Sequence, residues 1–297
     1  MAMTLAEYKK TTREPLRAGV IQTFMDNAPV LNYLSFTNIV GSVYSYNAEG
    51  TLPDTDFRAI NTPFATSSGV VNTSTEEIKI GGGKITIDRA LRDMYGDDRL
   101  KTDMEMKVKS MARTVSLAFF KGDTGSNALE FDGLQTRISG DQQLVQGDTA
   151  LSLGKLREAV VKTKGSNKVI FVGQEMYLRL SDALNDPALS NQLSQATDQF
   201  GAPIFYFAGI PVVMAGEATD GSQILDFTEA NTTTSIYVCA FESNGVTGIQ
   251  AKPLQAFEPV KESVGTEFDI EWILSYYIAN PDSAYQISGI TNVPVVK

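Results

Sequence analysis

The sequence predicts an α+β protein, because three stretches of the chain favour different kinds of secondary structure. Residues 88–121 contain a run of apolar side chains at steps of three and four, the period of an α-helix. Residues 148–235 alternate amphipathic stretches with short apolar runs, which indicates helices between strands. Residues 235–297 form a series of strand-like segments.

The N-terminal stretch, residues 1–40, begins polar and becomes apolar. Thr4 and Glu7 have the spacing of a capping box at the start of a short helix. After Pro15, apolar residues recur at helical spacing, namely Leu16, Val20, Ile21 and Phe24. Residues 26–29 break this helix, and VLNYLSFTNIVG is expected to be extended.

Residues 41–87 predict a hairpin that projects from the rest of the molecule. SVYSYNAEG and EEIKIGGGKITID are read as its two strands. Between them lies TLPDTDFRAINTPFATSSGVVNTS, which is rich in Thr, Ser, Asn, Pro and Asp. A structureless connection longer than ~12–15 residues is uncommon inside a compact domain unless it is functional or disordered. We therefore expect a long polar tip between two strands.

Residues 88–121 contain the strongest helix. Its apolar positions are Leu100, Met104, Val108, Met111, Val115, Ala118 and Phe119. Asp97 and Asp98 at its start and Lys121 at its end suit the helix dipole, and Gly122 is a natural stop. About 24 residues at ~1.5 Å each predict a rod of roughly 36 Å.

Residues 122–147 are rich in Gly and Asp and are read as a connector. The next elements are a helix over 149–163, a strand KVIFVG, a helix QEMYLRLSDALND, and two strands around Ala208-Gly209. SIYVCAF, GVTGIQAK, LQAFEPV and EFDIEWILSYYIA follow as strands.

The composition is that of an ordinary globular protein, with 42% apolar and 20% charged residues among 297. The formal net charge is −10 and no basic cluster appears, which disfavours a protein that reads DNA or RNA. An acidic protein can still enclose DNA, because a container wall that repels its contents does not stick to them.

Two residue counts exclude most catalytic and metal sites. The chain has no histidine, which excludes Ser and Cys nucleophiles activated by His and the common His-based zinc sites. It has one cysteine, Cys239, which lies in an apolar run and is expected to be buried; no intrachain disulfide can form. We therefore predict no catalytic residue, no metal and no cofactor.

Four short motifs invite a functional interpretation, and a structural one is preferred for each. Gly81–Lys84 lacks the glycine spacing and the Ser or Thr of a phosphate loop, so a kink in a strand is expected. Asp54-x-Asp56 lacks the other ligands of a calcium loop. Asp97-Asp98 and Glu76-Glu77 are read as a helix start and an exposed strand face.

Two apolar features are likewise read as core. The aromatic run from Trp272 to Tyr277 lacks the basic neighbours of a base-stacking platform, so a buried strand is expected. Met104 and Met111 are expected in the core rather than in a binding groove. No run approaches the ~18–20 apolar residues that span a bilayer. The N-terminus lacks the apolar core of a signal peptide, so we expect a protein of the producing cell's cytosol without a membrane partner.

The order of these elements resembles the tailed-bacteriophage major capsid proteins of the Hong Kong 97 type, over essentially the whole chain. The segments that carry the resemblance are PVLNYLSFTNIVG, KITIDRALRDMYGDD, GSNALEFDGLQT, KVIFVGQEMYLRLSDAL, FAGIPVVMAGEA and WILSYYIANPDSAYQISGI. The resemblance implies the following division: an N-terminal arm over 1–40, an extended loop over 41–87, a peripheral domain over 88–147 and 236–280, and an axial domain over 148–235 and 281–297.

The same resemblance implies a non-enzymatic shell subunit that assembles with itself as hexamers and pentamers around double-stranded DNA. It implies a portal protein and allows a decoration protein, in a virion assembled in the host cytoplasm. The arm-like sequence begins almost at Met1, which implies a separate scaffold protein or none. Lys79 and Lys84 lie in the extended loop, but no motif marks them for cross-linking, so a non-covalent shell is expected.

Within the extended loop, charged residues are few, and we expect Asp54, Asp56 and Arg58 to bond to a neighbouring subunit. Lys79 and Lys84 are further candidates for contacts between subunits. Three alternatives remain open at this point: an encapsulin-type bacterial compartment, an enzyme with a carboxylate-only site, and a secreted adhesin rich in strands.

Overall fold

A computed structural model describes residues 3–4, 27–49, 52–88, 90, 94, 98–187, 189, 192–197, 203–257, 260–261 and 265–297. The helix expected after Pro15 and the side chains of Asp97 and Asp98 lie outside what is described. Thr4 lies in a short strand, so the expected helix cap there is wrong.

The described residues form four α-helices and fifteen strands. The helices are α1 (Asp98–Lys121), α2 (Leu134–Arg137), α3 (Leu153–Lys162) and α4 (Gln174–Ala183). The strands are β1 (Met3–Thr4), β2 (Ser35–Asn38), β3 (Val43–Glu49), β4 (Val71–Glu77), β5 (Lys79–Asp88), β6 (Gln143–Thr149), β7 (Lys168–Val172), β8 (Leu193–Thr197), β9 (Pro203–Phe207), β10 (Ile210–Met214), β11 (Thr233–Ala240), β12 (Val246–Ala256), β13 (Val260–Lys261), β14 (Gly265–Ile278) and β15 (Ala284–Thr291).

The first sheet has six strands in the order β1-β2-β12-β14-β13, with β5 paired to β14 outside this path. Its inner face carries the alternate residues of β14, among them Phe268, Ile270 and Trp272, and all three are buried. The long helix α1 packs on this face through Met104, Val108 and Met111 in a shared core. The predicted rod helix and the predicted burial of its methionines are confirmed.

The second sheet has seven strands in the order β6-β15-β11-β7-β10-β9-β8. One face packs against α3 and α4, with Leu156 and Met176 in the same core as Ile170. The other face joins the core of the first sheet, where the rings of Phe120 and Phe171 lie 5.4 Å apart. The expected mixture of helices and strands in this half is confirmed.

Two glycines in β5, Gly81 and Gly83, bring α1 close to the first sheet. The strand pairs with β14 without a break in register, from Lys79 opposite Leu274 to Asp88 opposite Gly265. The expected kink is therefore wrong. A Cβ at Gly83 would lie 2.1 Å from Lys107 Cε, and one at Gly81 would lie 3.7 Å from Met111 Cε. The missing side chains leave room for the helix.

Strand pairing differs from the sequence prediction at two places. The partner of β3 is β4, which the sequence reading placed within the polar tip, whereas the expected partner β5 belongs to the first sheet. The region read as a connector contains β6, at the edge of the second sheet. The second sheet thus takes in residues 143–147 and 236–240, which the domain division assigns to the peripheral domain. That division stays a prediction.

Two expectations about single residues are confirmed. Cys239 is free and fully buried in β11, and its burial raises the pKa of the thiol. Trp272 lies in a buried strand. Over the described part of the chain, no helix combines the length and apolarity that a membrane crossing requires.

Candidate assembly surface

Strands β3 and β4 form an antiparallel ribbon of their own, separate from both large sheets. The register runs from Val43 opposite Glu77 to Glu49 opposite Val71. We call residues 43–77 the projecting arm and residues 52–70 its tip. A two-stranded hairpin is at best marginally stable alone, so the arm depends on contacts outside itself.

The tip is solvent-exposed throughout. Four of its large apolar side chains face water: Leu52, Phe57, Ile60 and Phe64. Among the described residues, its backbone makes one hydrogen bond to another backbone group, from the Thr62 N–H to the Ala59 carbonyl at 3.2 Å. Such a segment has almost no core and leaves apolar surface and backbone groups available to another molecule.

The three charged residues expected to bond to a neighbour all lie on this tip. The Arg58 guanidinium lies 5.1 Å from the Phe64 ring centre and donates to the Thr62 carbonyl at 3.3 Å. The Asp54 carbonyl accepts from the Ser67 hydroxyl at 2.7 Å. Asp54, Asp56 and Arg58 are all exposed on the tip, and no partner common to them is found among the described residues. Their contact with a neighbour stays a prediction.

The two lysines proposed as contacts lie on β5, beyond the base of the arm. Lys79 Nζ donates to the Ala128 carbonyl at 3.1 Å and pairs with Glu77 at 2.9 Å. Lys84 forms an ion pair with Glu267 on β14. Both therefore have partners in their own chain, and their contact with another subunit also stays a prediction.

The base of the arm is fixed by an arginine that the sequence did not single out. Arg137, at the end of α2, binds both carboxylate oxygens of Glu76, one of them at 2.8 Å. Its Nε donates to the Asp132 carbonyl at 2.7 Å, and its guanidinium lies 4.7 Å from the Tyr276 ring centre. The Tyr276 hydroxyl donates to the Phe119 carbonyl on α1 at 3.2 Å. The arm is thus linked to the first sheet and to the long helix.

Glu76 was expected on an exposed strand face, and this is wrong. Its side chain is 16% exposed and that of Arg137 is 13% exposed. Burial acts to lower the pKa of the Arg137 guanidinium, but the hydrogen bond and the charge of Glu76 outweigh it and raise the pKa. The pair is 61 residues apart in the chain, so no local pattern could have predicted it.

Three tyrosines form a second anchor. The ring centres of Tyr44 and Tyr46 on β3 lie 5.1 and 4.7 Å from that of Tyr277 on β14. Aromatic pairs at such distances stabilise beyond the area they bury. Burial, and then the hydrogen bond with Tyr44, raises the pKa of Tyr277 to about 12. The alternating tyrosines in SVYSYNAEG could have predicted that one face of this ribbon packs against another element.

In the described ranges, no group of three or more Asp, Glu or Cys side chains is arranged to hold a metal ion. The arrangement can do something else. It combines a rigidly anchored base with a projecting end that lacks a core, which is suited to contact with another molecule.

No family model matches the chain, and no curated protein matches it. Solved structures do. The holo-SrpI encapsulin complex from Synechococcus elongatus PCC 7942 is similar with a TM-score of 0.66 at 12% identity, over 90% of this chain and 89% of that one. The capsid of the native GTA particle is similar with a TM-score of 0.61 at 11% identity, over 95% and 93%.

A structure from Mycobacterium phage Bobi is also similar, with a TM-score of 0.61 at 12% identity, over 88% of this chain and 90% of that one. At identities this low, the structural similarity establishes a shared fold and nothing further. The chain has the Hong Kong 97-type capsid fold, as the order of its elements predicted.

Proposed function

We propose that this protein is a major capsid protein, a structural subunit that assembles with copies of itself into the icosahedral head of a tailed phage. The observation that carries the proposal is the projecting arm, whose tip exposes Leu52, Phe57, Ile60 and Phe64 while its base is anchored. The shared fold with a GTA capsid and a phage structure supports it.

The physical argument starts from the cost of exposed apolar surface. Burying a large apolar side chain is worth about 1.5–3 kcal/mol, so four of them on one tip favour association strongly. A neighbour that covers them also orders a ribbon that is marginal alone. Each copy gives one arm and receives another, and such a head-to-tail contact closes rings when the rotation allows.

Within this proposal, residues 88–147 with 236–280 act as the peripheral domain and residues 148–235 with 281–297 as the axial domain. Copies meet around the axial domain as hexamers and pentamers, and the projecting arm within residues 41–87 reaches across to the next copy. Asp54, Asp56 and Arg58 make polar contacts there, while Lys79 and Lys84 lie near the arm's base. The subunit has no catalytic role.

The partners follow from the same proposal. The head encloses DNA without reading its sequence, which a chain with a net charge of −10 suits. A portal protein and a separate scaffold complete the head, and a decoration protein is compatible with it. The head assembles in the host cytoplasm and is part of the virion.

A second candidate is the shell of an encapsulin-type bacterial compartment. It is favoured by the TM-score of 0.66 with the SrpI encapsulin complex over 90% of this chain. The two candidates share the shell and differ in its contents. Particles purified from the native source that contain DNA support the capsid, whereas particles that contain a cargo protein and no DNA support the compartment.

Electron microscopy of the purified protein tests the shell itself. We expect polyhedral particles from the intact chain and none after deletion of residues 52–66. A double substitution, Phe57→Ser with Ile60→Ser, should lower the particle yield in the same direction. Val161→Ser removes a similarly exposed apolar side chain from α3 and serves as the matched control.

Two results would refute the proposal. One is a monodisperse monomer from the intact chain under all assembly conditions. The other is the recovery of normal, stable particles after the deletion of residues 52–66.

A further inference from the structure

We propose that a recess on the outer face of the first sheet receives the Phe57–Arg58 end of the tip from a second copy of the chain. This inference rests on the proposed function and names the surface that the arm binds. The recess is an open depression of about 550 Å³, and the residues that line it include Ile80, Gly82, Lys84, Phe257, Asp269 and Glu271.

The alternation of side chains along two paired strands builds this recess. Ile80, Gly82 and Lys84 of β5 are exposed on the face opposite α1. Gly82 lies opposite Glu271 and Lys84 opposite Asp269 on β14. Gly82 has no side chain, and a Cβ there would lie 2.5 Å from the Ile270 carbonyl oxygen, so the floor between Ile80 and Lys84 is formed by the backbones of β5 and β14.

The walls of the recess are apolar and still face water. Ile80 is 69% exposed and Phe257 is 44% exposed. They border a floor without a side chain, so an aromatic ring placed there would cover both at once. An aromatic ring is the side chain that buries the most apolar area per residue. The shape and chemistry therefore favour an aromatic guest.

The rim of the recess is acidic. Lys84 is held by Glu267, which lies beside it on the same face. Within the described part of the chain, Asp269 and Glu271 have no ion-pair partner. An aromatic guest that brings an adjacent cation would offset part of this negative charge, and an Arg would do so with several hydrogen bonds.

The tip offers this combination. Phe57 is fully exposed, with no contact that covers its ring, and Arg58 follows it directly. Among the described residues, the guanidinium of Arg58 contacts only carbonyl oxygens and the Phe64 ring. A carboxylate from another copy would therefore add an ion pair that Arg58 does not make in its own chain. Phe57 would enter the recess between Ile80 and Phe257, and Arg58 would reach Asp269 and Glu271.

The guest must come from another copy. Strand β4 has seven residues, and at about 3.3 Å per residue it places the tip roughly 20 Å or more from Glu77. The recess begins at Ile80, just beyond Glu77 at the arm's base, where Arg137 and Tyr277 hold the ribbon in place. The fully exposed ring of Phe57 shows that an arm's own tip does not occupy its own recess. A tip seated in the next copy's recess makes a head-to-tail contact that can close a ring.

Cysteine pairs test the contact directly. Phe57→Cys is combined in turn with Ile80→Cys, Asp269→Cys or Glu271→Cys, and assembled particles are oxidised. We expect at least one pair to give a ladder of covalently linked chains on a denaturing gel, which a reductant abolishes. Native Cys239 is buried and should not react. Phe57→Cys with Leu178→Cys, an exposed position on α4, is the control and should give no ladder.

A charge exchange tests the rim. Arg58→Glu should lower the particle yield roughly tenfold or more, since like charges meet at the interface. Asp269→Lys with Glu271→Lys in the same chain should restore the particle yield. Arg113→Glu is the control, and any loss of yield that it causes should not be reversed by Asp269→Lys with Glu271→Lys. Particles that form normally but give no ladder from any of the three cysteine pairs would refute the docking of the tip in the recess and would leave the proposed function standing. Failure of the unaltered chain to form particles would overturn the proposed function instead.

Discussion

The pair of Arg137 and Glu76 matters more than the ion pairs on the surface of this protein. Both side chains are largely buried, the contact is bidentate, and the ring of Tyr276 covers the guanidinium. A buried pair is costly to break because its remaining partner is left as an uncompensated charge. The exposed pair of Lys162 and Glu158 on α3 has no such consequence.

Arg137→Met should lower the free energy of unfolding by about 3 kcal/mol, because it leaves the Glu76 carboxylate buried without a cation. The measurement is urea unfolding of the unassembled subunit. Adding Glu76→Gln to Arg137→Met should recover part of the loss, since the stranded charge is removed. Lys162→Met is the control and should produce no resolvable change. Equal effects of Arg137→Met and Lys162→Met would show that the buried pair does not stabilise the arm's base.

The burial of apolar residues could be predicted from the sequence, whereas the partners of polar residues could not. Cys239, Trp272, Met104 and Met111 are buried as expected, since burial follows from the residue type and the local pattern. Glu76 looked like a solvated residue because its partner lies far along the chain. An ion pair between distant segments depends on the tertiary fold, so neither composition nor local sequence pattern predicts it.

At the scale of elements, two glycines, Gly122 and Gly133, make the backbone hydrogen bonds that fix the end of α1. The Gly133 N–H donates to the Gly122 carbonyl at 2.8 Å, and the Gly122 N–H donates to the Ala118 carbonyl at 2.9 Å. A Cβ on Gly133 would lie 2.5 Å from the Gly122 nitrogen and 2.7 Å from the Ala118 oxygen. These are backbone atoms of the helix end, which cannot rotate away as a side chain does.

Gly133→Ala should therefore lower the free energy of unfolding by roughly 1–3 kcal/mol, the usual cost of forcing an extra carbon into a packed site. Gly125→Ala is the matched control, because its nearest neighbour would be the movable Asp123 carboxylate at 3.1 Å. Thermal unfolding of both variants distinguishes them. A melting temperature for Gly133→Ala equal to that of Gly125→Ala would show that the loop after α1 yields easily.

Elements with a clear period were predicted, and those without one were missed. Helix α1 and strands β7, β11 and β14 have strong patterns and were found. Strand β4 reads VNTSTEE, which is polar on both faces, so it looked like a loop. The pairing of β5 with β14 joins residues more than 170 positions apart, and strand propensity alone does not choose a partner.

At the scale of the whole molecule, two unequal kinds of structure share one chain. The two sheets, α1, α3 and α4 enclose a core that continues from one sheet to the other through Phe120, Phe171 and Tyr237. The arm carries no comparable core beyond its base. Local stability should follow this division, since segments with few buried contacts open at low free energy.

Hydrogen exchange measures this division and the effect of assembly together. In the unassembled subunit, amides of residues 52–70 should exchange within the shortest time that can be sampled, because almost none of them is paired with another backbone group in the described chain. Amides of β11, which is buried along its whole length in the middle of the second sheet, should exchange slowly. In assembled particles the tip should become protected while β11 stays as it was, since a neighbour then covers the tip. Fast exchange of the tip in intact particles would mean that the shell forms without it and that the exposed apolar side chains have another purpose.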